Sequence, residues 1–462
     1  MSTARTAFSP AHALPSTWNM AVPAAIAAGA LLGVVYTLSP MTVWFTAISA
    51  VMVWLGARGL PPAEARWIRG LLVAAIVVRV AIVAWLFEFG TPDHMWFNTF
   101  FGDEQYLIVR ALRLRHLWLG SPLSLEAFSD VYDSYGRTSY LNVIAFAQLV
   151  TGPSPYGVHL LNAALYVTGA VVLHRTVRAS FGPVAAAGSL FGTLFFPTLL
   201  IWSVSGLKES LNSLVVMGVM AGTIGCIRAR WTWRPLAFVA VVAGLAALRT
   251  FRAGAFEITA AGIAVGLAGR VITRRVWRMA LVAIAVLLLA APVGRNARVQ
   301  SVALRALRPA ARMHMGHVFT RGHSYKLLDQ RLYDPRVIES MTWPEAVRFI
   351  GRAAASVMLY PTPWGAQSSA ELLYMPEQIA WYAILATALV GAAVGMRRDA
   401  LVTSLFVGYS VTALMIVALN TGNVGTLVRH RSFALPFLIA LSAVGVAAIV
   451  GRLSALSSPA RS

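Results

Sequence analysis

Long apolar runs, separated by short arginine-bearing segments, make up most of this chain. Runs of about 20 apolar residues cross a bilayer as helices. Twelve spans are expected, near 20–37, 41–57, 70–89, 158–173, 183–203, 208–226, 235–248, 253–268, 277–293, 378–395, 400–419 and 432–450. The apolar positions are continuous and do not alternate, which excludes a transmembrane β-barrel. Two regions, 90–157 and 294–377, break the pattern by mixing charges, aromatics, glycine and proline. The expected fold class is an all-α polytopic membrane protein with two large loop regions that carry interfacial helices. Four parts follow: a tail and helical hairpin at 1–57, a transmembrane core at 58–293 carrying the loop 90–157, the large loop 294–377, and C-terminal helices at 378–462.

Arginines set the orientation. They cluster in 58–69, 174–182, 227–234, 269–278, 396–399 and the C-terminal tail. Placing these segments inside puts both termini in the cytoplasm and both long loops outside the cell (inner or plasma) membrane. Of the acids, only Glu64 and Asp399 then fall inside. The apolar stretch 139–152 cannot cross, because the arginine loops on its two sides would end on opposite faces. At 1.5 Å per residue it spans ~21 Å, and it is expected to lie in the outer interface. Residues 105–118 read likewise: Arg110, Arg113 and His116 share one side, Ile108 and Leu112 the other, and Arg115 has to snorkel from the apolar side. The polar segment Met1–Asn19 lacks the apolar core and cleavage site of a signal peptide, so no removal is expected.

Composition narrows the function. Of 462 residues, 58% are hydrophobic and 12% charged, against roughly 25% charged in soluble domains; a soluble multidomain enzyme and a disordered chain are excluded. The net charge is +21, and only Lys208 and Lys326 are lysines. Because the arginines lie between apolar runs, topology and lipid phosphates account for them, and no nucleic-acid partner is expected. A single cysteine, Cys226, permits no internal disulfide. No phosphate-cradling glycine loop, dinucleotide fingerprint or HExxH sequence appears, which leaves nucleotide-sugar use without support.

Five places carry candidate chemistry. In Phe101-Gly-Asp-Glu-Gln-Tyr106, Asp103 and Glu104 open an interfacial helix, either as a helix-start charge effect or as a general base at the outer leaflet. Lys208-Glu209 stands at the outer mouth of two spans, as a surface ion pair or as a lipid-phosphate contact. Arg249-Thr-Phe-Arg252 falls at an outer turn; Arg252 either pairs with Glu257 or lines a cavity. Arg429-His430-Arg431, just before the last span, has the chemistry of a bidentate phosphate clamp, with Asn420-Thr-Gly-Asn-Val-Gly425 ahead of it as flexible backbone for close approach. Arg79 lies midway through a span and is expected to meet a carbonyl or another span. In the large loop, Arg295 to Arg312 carries five arginines on an amphipathic helix. His314, His317 and His323 lack an acid to complete a metal set, so no metal site is expected. Pro361-Thr-Pro-Trp364 and Trp381-Tyr382 supply aromatic surface for a sugar or for the membrane interface.

The acidic pair followed by a tyrosine-bearing interfacial helix resembles the GT-C superfold of integral membrane glycosyltransferases, and in particular the protein O-mannosyltransferase and aminoarabinose transferase family. Asp103, Glu104 and Tyr106 match that pattern. Gly152-Pro-Ser-Pro-Tyr156, Phe196-Pro-Thr-Leu-Leu-Ile-Trp-Ser203 with Gly206-Leu-Lys-Glu209, and Gly422-Asn-Val-Gly-Thr426 with Arg429-His-Arg431 and Leu435-Pro436 extend the likeness, the last as in exopolysaccharide-cluster relatives. The hairpin 20–57 is an addition to the pattern, and Tyr135-Gly-Arg-Thr-Ser139 stands where that family carries a proline pair. The resemblance implies transfer of a sugar from a polyprenyl-phosphate donor to a glycan, lipid or protein hydroxyl, with inversion at C1. Asp103 would be the base beside Glu104. Lys208, Glu209, Arg249, Arg252, Arg429, His430, Arg431 and Tyr106 would bind substrate among membrane lipids. No resident cofactor is called for, and a divalent cation is left open. Two other readings stand: an oligosaccharide polymerase or ligase using a lipid diphosphate, which would not need Asp103, and a glycolipid transporter without catalysis, which should show repeated halves.

Overall fold

A computed structural model describes residues 17–38, 40–89, 102–133, 138–154, 156–320 and 322–457. The expectations for most of the N-terminal tail, for the loop start 90–101 including Phe101, for Tyr135-Gly-Arg137 and for Arg321 lie outside the described residues. Helices α1 (Thr17–Leu38), α2 (Pro40–Ala57) and α3 (Pro62–Phe89) come first. The first loop region holds α4 (Gly102–Trp118), α5 (Leu125–Tyr132) and α6 (Tyr140–Thr151). Then follow α7 (Gly157–Phe181), α8 (Pro183–Phe195), α9 (Pro197–Val204), α10 (Glu209–Arg228), α11 (Arg234–Phe251), α12 (Ala255–Thr273) and α13 (Val276–Arg295). The second loop region carries α14 (Ala297–Val318) and α15 (Trp343–Leu359), ahead of α16 (Ser369–Arg398), α17 (Ala400–Asn420), α18 (Val424–Arg431) and α19 (Leu435–Ser457).

Among the described residues nine helices, α2, α3, α7, α10, α11, α12, α16, α17 and α19, are long and apolar enough to cross a membrane. The pair α8 and α9, bent by 58°, makes a tenth if counted as one span. Pro197 breaks this pair, because proline cannot donate to the preceding turn. The break leaves the Leu194 carbonyl needing a donor, and Arg79 supplies it. From inside α3 its Nη2 donates to that carbonyl at 2.9 Å, its Nε to Ser203 Oγ at 2.9 Å, and its Nη1 to the Ala75 carbonyl at 3.1 Å. The expected role of Arg79 as a partner of another span is what the structure has. The runs at 20–37 and 277–293 are helical too, as α1 and α13.

Helix α7 is buried along most of its length, with α2, α3, α8 and α10 packed around it. The other half of the bundle is built on α17, with α12 and α19 against it. The crossing of α12 and α17 is close: a Cβ on Gly408 would stand 2.6 Å from the Gly266 Cα. Small residues let helix backbones approach in this way, and the approach fixes one wall of the cavity described below.

Arginine–carboxylate pairs gather at both ends of the bundle. At one end Arg178 donates Nε and Nη2 to Glu64 at 2.6 and 2.8 Å, and Arg228 pairs with Asp399. The two acids expected on the arginine-rich face thus meet arginines there. At the other end the two loop regions come together. Arg429 lies 3.5 Å from Asp103, and the 420–424 turn exchanges backbone hydrogen bonds with 323–325. Helix α6 is a short helix packed on α4, and its first turn is tied to the end of α11 by Ser139 and Thr250.

Helix α4 departs from the expected two-sided surface helix, because α5 and α6 cover it. Arg110 is buried, donating Nη2 to the Asp133 carbonyl at 2.8 Å and Nη1 to the Tyr106 hydroxyl at 2.9 Å. Arg113 pairs with Asp130. Arg115 does not snorkel: its Nε donates to the Gln148 carbonyl of α6 at 3.0 Å.

Candidate functional site

The site is assembled on the loop between α9 and α10. Two buried side chains fix that loop: the Tyr140 hydroxyl donates to the Gly206 carbonyl at 2.9 Å, and Asn162 Nδ2 donates to the carbonyls of Ser205 and Leu207 at 2.6 and 2.8 Å. They set Lys208 and Glu209 at the start of α10. Glu209 is 3% exposed. Its Oε1 accepts from Arg252 Nη1 at 3.0 Å and from Arg429 Nε and Nη2 at 2.9 and 2.7 Å. Arg252 sits at the break between α11 and α12, with its guanidinium 4.4 Å from the Phe433 ring. Arg429 lies on α18, 5.0 Å from the Trp202 ring, and turns Nη1 toward Asp103 at 3.5 Å.

Helix α18 is held from below. His314 donates Nδ1 to the Thr421 carbonyl, and His317 donates Nδ1 to the Asn420 carbonyl, each at 2.7 Å. Gly422 lies against α14, where a Cβ would meet the Val318 side chain at 2.6 Å. Asn423 caps α18 by accepting from Gly425 N at 2.9 Å, a strongly preferred N-cap arrangement. These contacts tie the 420–425 segment down, and the close approach made at Gly422 is to helix α14. His430 accepts from Arg252 Nη2 at 3.0 Å through Nε2. Burial, with Arg252 and Arg429 beside it, pushes this imidazole well below its ordinary range, so it is neutral.

These residues open into a cavity of about 390 Å³. Lys208, Asn212, Arg252, His317, Asn420 and His430 form its polar part, while Val216, Ile258, Tyr409, Ile416, Val417 and Phe433 line its apolar part. The lining combines two cations, Lys208 and Arg252, with apolar side chains, and Phe433 lies against the Arg252 guanidinium.

The remaining candidates divide. Asp103 is at the surface, with its side chain 77% exposed, and joins the cluster through Arg429. Glu104 turns inward and is buried; His159 Nε2 lies 3.3 Å from its Oε2 and meets the Phe87 ring edge-on. Neighbouring residues on a helix face different ways, so the acidic pair is split between two environments. Tyr106 faces Arg110 and Asp133. Arg249 is exposed and does not line the cavity. Arg252 pairs with Glu209 and not with Glu257, which is exposed. Arg431 does not share a clamp with Arg429. It is 2% exposed and donates to the carbonyls of Val357 and Tyr360 and to Gln378 Oε1, over the Trp381 ring. Trp381 and Tyr382 donate to the Met358 and Leu359 carbonyls at the end of α15, while Trp364 is exposed. His323 pairs with Glu371 at 2.7 Å, and among the described residues no three metal-ligating side chains converge.

Several members of the site are not singled out for it in the sequence. Tyr140, Asn162 and His159 belong to apolar helices, Asn212 joins the cavity through tertiary contacts, and Asn420 and His317, expected as loop backbone and as part of an incomplete metal set, line the cavity instead. Helical spacing could have found Asn212, which stands four residues after Lys208 on the same face.

Comparison with known proteins gives no relative: no protein-family model, no curated protein and no solved structure matches the chain.

Proposed function

We propose that this protein is a membrane glycosyltransferase of GT-C type. It moves a sugar from a polyprenyl-phosphate donor to an acceptor hydroxyl on the external face of the cell membrane. In this reading all twelve apolar runs cross the bilayer and both termini are cytoplasmic. The observation that carries it is the cavity: its lining joins the cations Lys208 and Arg252 to apolar side chains, and Arg429, which shares Glu209 with Arg252, reaches Asp103. A lipid phosphate needs cationic headgroup contacts and an apolar path for its chain, and both are present. The acceptor oxygen forms a bond to C1 as the C1–O bond to the phosphate breaks. The hydroxyl proton goes to the Asp103 carboxylate, and the electron pair leaves on the lipid phosphate, whose charge Lys208 and Arg252 stabilise. One in-line displacement inverts C1.

The test is incorporation of label from polyprenyl-phosphate sugars by the purified full-length protein, with identification of the product. Asp103→Asn keeps the size of the side chain but removes its basicity. It is expected to lower turnover by about 10²–10⁴-fold, the typical worth of a positioned base, with donor affinity nearly unchanged. Near-wild-type turnover in this variant would sink Asp103 as the base and favour a diphosphate-using polymerase.

A further inference from the structure

We propose that Glu209 is a specificity-determining residue: it limits the cavity to lipids carrying one phosphate charge and so rejects diphosphate-linked ones. The proposal rests on reading the cavity as a lipid-phosphate site.

The argument is a count of permanent charges. Arg429 is fully engaged, with Nε and Nη2 on Glu209 and Nη1 on Asp103. Arg252 gives Nη1 to Glu209 and Nη2 to His430. Because His430 accepts that bond through Nε2, it contributes no positive charge. Among the described residues no carboxylate pairs with Lys208. Three cations against the carboxylates of Glu209 and Asp103 leave one positive charge. A sugar phosphodiester carries one negative charge and neutralises it. A diphosphate diester carries two, and the second would enter the cavity with no cation left to meet it, since Glu209 already offsets Arg252. An unpaired charge close to a carboxylate is costly; Glu209, 3% exposed, does not itself line the cavity and acts on it through Arg252, which does. No hydrogen bond from the described residues reaches Glu209 Oε2, so this carboxylate is held as a counter-charge and not as part of a saturated structural network.

Two non-reactive probes separate the cases: decyl methyl phosphate with one negative charge and decyl methyl diphosphate with two. Their affinities for the full-length protein in lipid nanodiscs can be measured by native mass spectrometry. The wild type is expected to favour the monophosphate by at least about tenfold, equivalent to roughly 1.4 kcal/mol. Glu209→Gln should shrink or reverse that preference. Asn212→Lys adds a cation to the lining while leaving Glu209 and its two arginines in place, and should move the ratio the same way even if Glu209→Gln fails to fold. Equal affinities in the wild type, or an unchanged ratio in a folded Asn212→Lys, would overturn the role of Glu209 and leave the donor-site reading standing. Absence of binding by either probe to the wild type would overturn both.

Discussion

Two positions apart on α18, Arg429 reaches Glu209 and Asp103 while Arg431 is turned to the carbonyls of Val357 and Tyr360. Replacing Arg431 by alanine strands several buried acceptors. Each costs about 1–3 kcal/mol when left unpaired, so this variant should lose thermal stability or fail to fold. Arg429→Ala should fold and lose turnover, because its partners are Glu209 and the exposed Asp103 and not a set of buried carbonyls. Melting curves in detergent, read beside activity, separate the two; similar stability loss in both would contradict the division. His314 makes a further prediction at this scale. Burial pushes its imidazole down to about 4, and both ring nitrogens serve neutral contacts, with Nδ1 on Thr421 and Nε2 accepting from Leu327 N. The folded value lies below the unfolded one, so the unfolded chain binds the extra proton and stability falls as pH drops from the ordinary histidine range toward 4. Between pH 7 and 5 the loss is about 2 kcal/mol. His314→Gln should flatten that part of the melting-temperature profile; an unchanged slope would remove His314 as its source.

At the level of helices, a broken span is held by a buried arginine. The α8–α9 bend exposes the Leu194 carbonyl, and Arg79 of α3 closes it. Arg79→Leu is expected to lower the melting temperature and leave the affinity for decyl methyl phosphate unaltered, since Arg79 does not line the cavity. A loss of probe binding at unchanged stability would place Arg79 on a substrate path instead. The sequence pattern located Arg79 in mid-span and suggested a carbonyl partner. It could not name Leu194, because the need for a donor there arises from the bend between two helices more than 100 positions away.

For the molecule as a whole, the contact between Arg429 and Asp103 and the backbone pairing of 323–325 with 420–424 bring both loop regions to one end. With Cys226 replaced by alanine, cysteines at Ser129 and Ser340 should both react with an impermeant thiol reagent in intact cells. A cysteine at Thr273, beside the densest arginine group, should be protected. Labelling of Ser129Cys and Ser340Cys from opposite sides would break the parity argument for 139–152.

Most of the helices were legible from apolar run length, because a bilayer demands about 20 apolar residues per crossing whatever the partners are. The place of Glu64 and Asp399 among the arginine-bearing loops was legible as well, since charge bias acts through each loop separately; their partners Arg178 and Arg228 were not. Run length gives twelve apolar runs, and nine or ten of them are helices that meet the demand among the described residues. The site was legible only as a list of charged positions near loops. Arg429, Arg252, Glu209 and Asp103 were on it and meet in one charge cluster; Arg249 and Arg431 were on it too and do not join that cluster. Local sequence carries no record of which way a side chain turns once another helix covers it. Glu104 meets His159, Arg431 meets the end of α15, and Tyr140 and Asn162 hold the loop that carries Glu209. Those partners are distant in the chain, and a buried charge takes the orientation in which its partners repay its lost hydration.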